Sequence, residues 1–147
     1  MSDSQLTLAH ANTIVAAALA EAARLQLKPL TVVVLDAGGH AVALQRQDGM
    51  SNLRPQLAAG KASGALALGV SSRQIAAMAL ERPHFVGALT ALGAGAAQPI
   101  VPVPGGVLIR GAGDRILGAV GITGDTSDND EACAVAGIKA AGLTPGV

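Results

Sequence analysis

The sequence predicts an α+β fold, helices packed on an antiparallel sheet, and three observations carry that expectation. Thr31 to Leu35 (TVVVL) and Ala41 to Arg46 (AVALQR) flank a DAGGH turn and read as a hairpin. VLIR and RILGAVGIT flank a GAGD turn and read as a second one. Helical patterns stand before, between and after the hairpins instead of alternating with single strands, which excludes a doubly wound parallel sheet.

The first helix starts at a Thr7 cap and runs to about Leu27. Leu8, Ala11, Ile14, Val15, Ala18, Leu19 and Ala22 recur at helical spacing as its buried stripe. The opposite side carries His10, Ala17, Glu21 and Arg24, an alanine-rich face suited to packing against a neighbouring subunit. Pro29 ends this helix. Strands at about 31 to 35 and 41 to 46 follow, and the QDGM turn leads to a helix with Pro55 in its first turn that reaches about Leu68. Gly60 and Gly64 each weaken that helix by about 1 kcal/mol relative to alanine, so close approach of another group is the expected compensation. Ser72 caps a short helix to about Leu80, stopped by Glu81 to Pro83. The Gly- and Pro-rich stretch from His84 to Gly106 reads as an ordered loop with a helical turn at its start. Gly118 and Gly121 mark bulges or close backbone approach in the return strand of the second hairpin. Ser127 caps the last helix, Asp128, Asp130 and Glu131 complement its dipole, Lys139 lies near its other end, and Gly142 terminates it.

The 147 residues form one expected domain, 1–147. Half are apolar and only 14% are charged, yet no uninterrupted apolar run approaches the ~18 residues of a membrane span. A soluble homo-oligomer is expected, because so apolar a small chain needs somewhere to hide surface. With zero net charge and 1% aromatic residues, the footprint of nucleic-acid binding is missing. The polar start MSDSQLTLAHANTIV lacks the pattern of a signal peptide, so the expected location is cytoplasmic. Cys133 is the only cysteine, which excludes an internal disulfide and fits a buried small hydrophobe.

Asp36, Gly38, Gly39, Arg46, Asp48, Gly49, Lys61 and Ala62, followed by Gly105, Gly106, GAVGITG at 118 to 124, Asp130 and Ala134 to Gly137, form a pattern covering nearly the whole chain. This pattern resembles the GlcG/HbpS family, also found as the C-terminal domain of PduO-type proteins and long catalogued as a domain of unknown function, DUF336. The resemblance implies a profilin-like α/β fold, with an antiparallel sheet of about five strands and assembly into homo-oligomers. It also implies that haem is a candidate ligand, since some members bind it, while others sit among catabolic genes. Where the family often has Gly-Val-Ser-Gly-Gly, this chain has Gly121-Ile122-Thr123-Gly124-Asp125, which adds a methyl group and a carboxylate to a backbone-lined pocket.

The candidate chemistry follows two lines. Haem needs an apolar slot and an axial donor, for which the chain offers three histidines, three methionines and Cys133; His10 is the axial candidate, because haem-binding relatives place histidines near the first helix. No His, Cys and carboxylate cluster has metal-site spacing. For an enzyme, Arg46, Arg54 or Lys61 would hold a small carboxylate, with Asp36, Asp48, Asp125 or Glu131 moving a proton, as hydrolysis, dehalogenation or tautomerisation requires. Asp36 and Asp48 are equally explained by turn chemistry, whereas Lys61 in an apolar helix needs a partner or a ligand if buried. The expected site lies among the first hairpin, the Lys61 helix and the 121–131 segment. It comprises Arg46, Arg54, Lys61, Gly121, Thr123, Gly124, Asp125 and Glu131 for binding, and Asp36, Arg46, Asp48 and Lys61 for any catalysis. The leading expectation is an oligomeric small-ligand-binding protein, haem or a related tetrapyrrole being the named ligand; a catabolic enzyme and a non-catalytic accessory protein are the alternatives.

Overall fold

The computed structural model describes residues 4–147. Helix α1 (Leu8–Arg24) leads into strands β1 (Thr31–Asp36) and β2 (Ala41–Arg46). Helices α2 (Arg54–Leu68), α3 (Ser72–Glu81) and α4 (Pro83–Gly95) follow. Strands β3 (Gly106–Arg110) and β4 (Ile116–Thr123), helix α5 (Ser127–Ala140) and strand β5 (Thr144–Gly146) complete the chain. The five strands form one antiparallel sheet in the order β2-β1-β4-β3-β5.

Alternation along the strands divides the core between the two faces of the sheet. Val32, Val34, Val107, Ile109, Val120 and Ile122 pack with α1 and α5, around Ile14, Val15, Cys133 and Ile138. Val33, Leu35, Leu108 and Ala119 face α2, whose contact surface is alanine: Ala58, Ala62 and Ala65. The residues of β4 and β3 beneath α2 include Gly121 and Gly106, which are directly opposed in register. A methyl group on Gly121 would run into the carbonyl oxygen of Ala58, and one on Gly106 into that of Lys61. At these two glycines the backbone of α2 itself rests on the sheet, between its alanine contacts. The close approach expected at Gly60 and Gly64 comes from the chain after α4, which lays Val101 over Gly60 and Ile100 over Gly64.

Several local expectations change. The stretch read as a loop from His84 contains α4, a full helix started by Pro83; its alanines and leucines outweigh its glycines. Ser71, not Ser72, caps α3, by accepting from the amide of Gln74. Ser72 instead points inward, where its hydroxyl accepts from the Gly106 amide at 2.7 Å and ties α3 to the sheet. Thr126, not Ser127, caps α5. Leu8, placed in the buried stripe, is 60% exposed at the first turn of α1, and that helix ends at Arg24.

Candidate binding corner

At one end of the sheet, α2 and α5 reach toward each other from opposite faces. Lys61 leaves α2, donates to the carbonyl of Ile122 at 2.8 Å and meets Asp130 Oδ2 at 3.2 Å. Both side chains are buried. Glycine at 105 leaves the lysine its path, since a β-carbon there would lie 2.9 Å from Nζ. Burial pushes the Lys61 ammonium down and the Asp130 carboxyl up, and each opposes that shift in the other as a charged partner. A second tie runs parallel outside: Arg73 of α3 holds Glu131 at 2.9 Å and also pairs with Asp128.

The other Asp130 oxygen accepts from the Asp125 amide at 3.0 Å. Asp125 in turn accepts from the Lys28 amide, the Thr126 amide and the Asn129 side chain. The Asn129 hydrogen bond, followed by the two backbone bonds, holds its carboxyl down to about 2. This folded-state value lies below the ordinary 3.8, so the contribution of Asp125 to stability is complete above about pH 4 and disappears as pH falls toward 2. Acid unfolding of Asp125→Asn is accordingly expected to show a shallower loss of stability across pH 4 to 2 than the parent; identical slopes in denaturant titrations would contradict the role.

Above this frame lies a recess of about 270 Å³ between Lys28 and Pro29, the β2–α2 loop at Met50 and Ser51, Arg54 and Gly124. Arg54 is half-buried, and its Nη1 donates to Thr123 Oγ1 at 2.9 Å. The first turn of α2 carries no acidic residue and its N-cap, Leu53, supplies no side-chain hydrogen bond. Thr31 faces the same side of the sheet as Thr123 and Arg46, its register partners on the two neighbouring strands. It is fully buried, and its hydroxyl has no hydrogen-bond partner among the described residues. A second, more open concavity of about 560 Å³ adjoins across Pro29, with Leu19 and Leu27 on one wall and Arg46 and Asp48 at the other.

The expected site residues thus separate. Arg54, Thr123 and Gly124 meet at the corner, while Arg46 lines the adjoining concavity. Lys61 is close by but is committed to Asp130 and Ile122, and Glu131 is committed to Arg73. Gly121 serves as the seat of α2. Asp36 lies at the far end of β1, where its Oδ1 accepts from the amides of Gly38 and His40 at 3.0 Å; the His40 bond is the main cause of its lowered pKa. Asp48 is exposed beside Arg46. His10 belongs to a capping box, its Nδ1 accepting from the Thr7 amide at 3.2 Å. Cys133 is buried in the α1–α5 core, where burial pushes its thiol up to about 11. Among the described residues, no group of three His, Cys, Asp or Glu is placed to hold a metal, and no helix is long and apolar enough to cross a membrane.

Sequence reasoning missed Asp130 as the Lys61 partner, and Lys28, Met50 and Thr31 at the corner. The available signal was Lys61 itself, a cation in an apolar helix that required a carboxylate from another element.

Comparison with known proteins gives a consistent result. The family described as "Haem degrading protein HbpS-like" matches residues 6–139. A crystal structure of a PduOC:heme complex is 24% identical, with 97% of this chain and 99% of that one covered and a TM-score of 0.81. Klebsiella pneumoniae protein ORFY, of family DUF336, is 25% identical over 97% of each chain, with a TM-score of 0.79. A double mutant of Streptomyces reticuli HbpS is 23% identical over 92% of this chain and 86% of that one, with a TM-score of 0.75. No curated protein matches.

Proposed function

Because the chain belongs to the HbpS-like family, we propose that it is a small-ligand-binding protein whose ligand occupies the corner at Arg54, with a tetrapyrrole as the named candidate. One observation carries the binding reading: the carboxylates around the corner are already engaged. Asp125 is held by three N–H donors, Asp130 by Lys61 and Glu131 by Arg73, while Lys28 and Arg54 face the recess. A general acid at neutral pH needs a raised pKa and reach to substrate. Asp36 and Asp125 are shifted the wrong way for this, and Asp130 is buried beneath the recess.

A tetrapyrrole suits this corner in part. Its carboxylates match Arg54, Lys28 and Arg46, and its apolar edge matches Leu19, Leu27 and Pro29. Its iron is a poorer match. No histidine lines either hollow, and the sulfur at the recess belongs to Met50. His10 accepts a hydrogen bond at Nδ1, so its neutral ring carries the proton on Nε2, and ligation through Nε2 would require release of the cap. No step of this chain's chemistry is therefore assigned to an iron.

Assembly into a homo-oligomer belongs to the same reading. Leu80 and Leu92 are 87% and 71% exposed on α3 and α4, where a second copy would remove them from water.

Titration with haemin and with metal-free protoporphyrin tests the proposal. Saturable binding of both, weakened by Arg54→Gln, is expected; binding of neither removes the tetrapyrrole. His10→Ala is expected to leave the Soret band of the haemin complex in place. A shifted band would instead make His10 the axial ligand.

A further inference from the structure

We propose that the recess at the start of α2 is an oxyanion subsite that binds a carboxylate of the ligand through Arg54, Lys28 and the hydroxyl of Thr31. The inference rests on the binding reading and names the chemical group recognised. Four observations converge on it. Among the described residues, the recess is lined by two cations and no carboxylate. Arg54 is tethered to Thr123 through one nitrogen, Nη1, which leaves its other N–H groups for an anion. The adjoining helix start has neither an acidic first turn nor a side-chain cap, so its positive end is not offset locally.

The fourth is independent of charge. The lining residues Pro29 and Gly124 run directly into β1 and out of β4, whose terminal residues Thr31 and Thr123 are register partners just inside that lining. Thr123 has a partner in Arg54; Thr31, fully buried, has none among the described residues. Leaving a buried hydroxyl unpaired is unfavourable, and valine would fill the same space without that penalty. An oxygen of the ligand would supply the hydrogen-bond acceptor that this hydroxyl lacks. The nearest competing acids do not occupy the subsite: Asp125 and Asp130 are turned into the hydrogen bonds beneath it.

The carboxylate has two sources, a propionate side chain of a tetrapyrrole or a free small organic acid. Propionate and its neutral amide, propionamide, are the probes, followed by amide chemical shifts of Ser51, Arg54 and Gly124. Propionate is expected to shift these signals saturably and propionamide not to. Arg54→Gln is expected to weaken propionate binding about tenfold, and Lys28→Gln, at an exposed position, to weaken it less. Thr31→Val is expected to raise the melting temperature while weakening propionate about fivefold, two changes of opposite sign that a purely structural threonine would not give.

Competition then separates the sources. If propionate displaces protoporphyrin, and the porphyrin dimethyl ester fails to bind, the subsite serves the tetrapyrrole. If the acid binds as expected but porphyrin is unaffected by Arg54→Gln, the subsite stands and the tetrapyrrole reading falls. Equal shifts from propionate and propionamide, or unchanged propionate affinity in Arg54→Gln, would overturn the subsite.

Discussion

Lys61→Ala is expected to lower the unfolding free energy by about 3–5 kcal/mol, because it strands Asp130 as a buried charge. It also leaves the Ile122 carbonyl without its side-chain donor. Through this one lysine, α2 on one face of the sheet is tied to the first turns of α5 on the other, so the damage reaches both layers. Part of the loss should be recoverable by removing the charge rather than restoring it. In Lys61→Met with Asp130→Asn, the asparagine oxygen still accepts from the Asp125 amide while no ion remains buried. Urea denaturation of the single and double variants checks this. A loss below about 1 kcal/mol for Lys61→Ala would show that the pair is solvated and dispensable.

Gly121→Ala is expected to cost about 3 kcal/mol, an overpacking effect from a single methyl group. That methyl would meet the Ala58 carbonyl, a backbone atom in the second turn of α2 that cannot swing away as a side chain can. Relief requires lifting the helix from the sheet, which opens the alanine contacts of Ala58, Ala62 and Ala65 together. Gly87→Ala is the matched control. It adds the same methyl to helix α4 where nothing lies within 4 Å, and should stabilise by about 0.5–1 kcal/mol. Equal effects at the two positions in thermal or urea unfolding would contradict the close seating of α2.

Both effects explain which parts of the molecule could be read from the chain. The hairpins were visible because β-formers, turn residues and spacing agree locally at DAGGH and GAGD. The last helix was visible for the same reason, through its acidic first turn and terminal glycine. Helix α4 was obscured because PHFVGALTALGAG shows no amphipathic period; with Val86 and Gly93 as its buried residues, little in its pattern marks an inward face. The choice between Ser71 and Ser72 depended on which hydroxyl the Gly106 amide would claim, a contact 34 residues away.

The site was divided in the same way. Arg54, Thr123 and Gly124 carry signals of their own, a cation at a helix start and polar or flexible residues at a strand end. Lys61 announced the need for a partner without naming it. Asp130, 69 residues later, had a sufficient local explanation as a helix-dipole acid, so its long-range pairing was hidden. Thr31 was hidden more completely, since a β-branched residue at a strand start is unremarkable until its hydroxyl is found buried without a partner.

The most direct test of ligand binding at the corner is native mass spectrometry of the protein purified from its own host, before and after denaturation, with a visible absorption scan of the same sample. The expected result is a folded species heavier per chain than the denatured one by one small molecule, retained by the parent and reduced in Arg54→Gln; a Soret band would identify that molecule as haem. Identical masses per chain in the folded and denatured parent, with no chromophore and no uptake of added haemin, protoporphyrin or propionate, would contradict it.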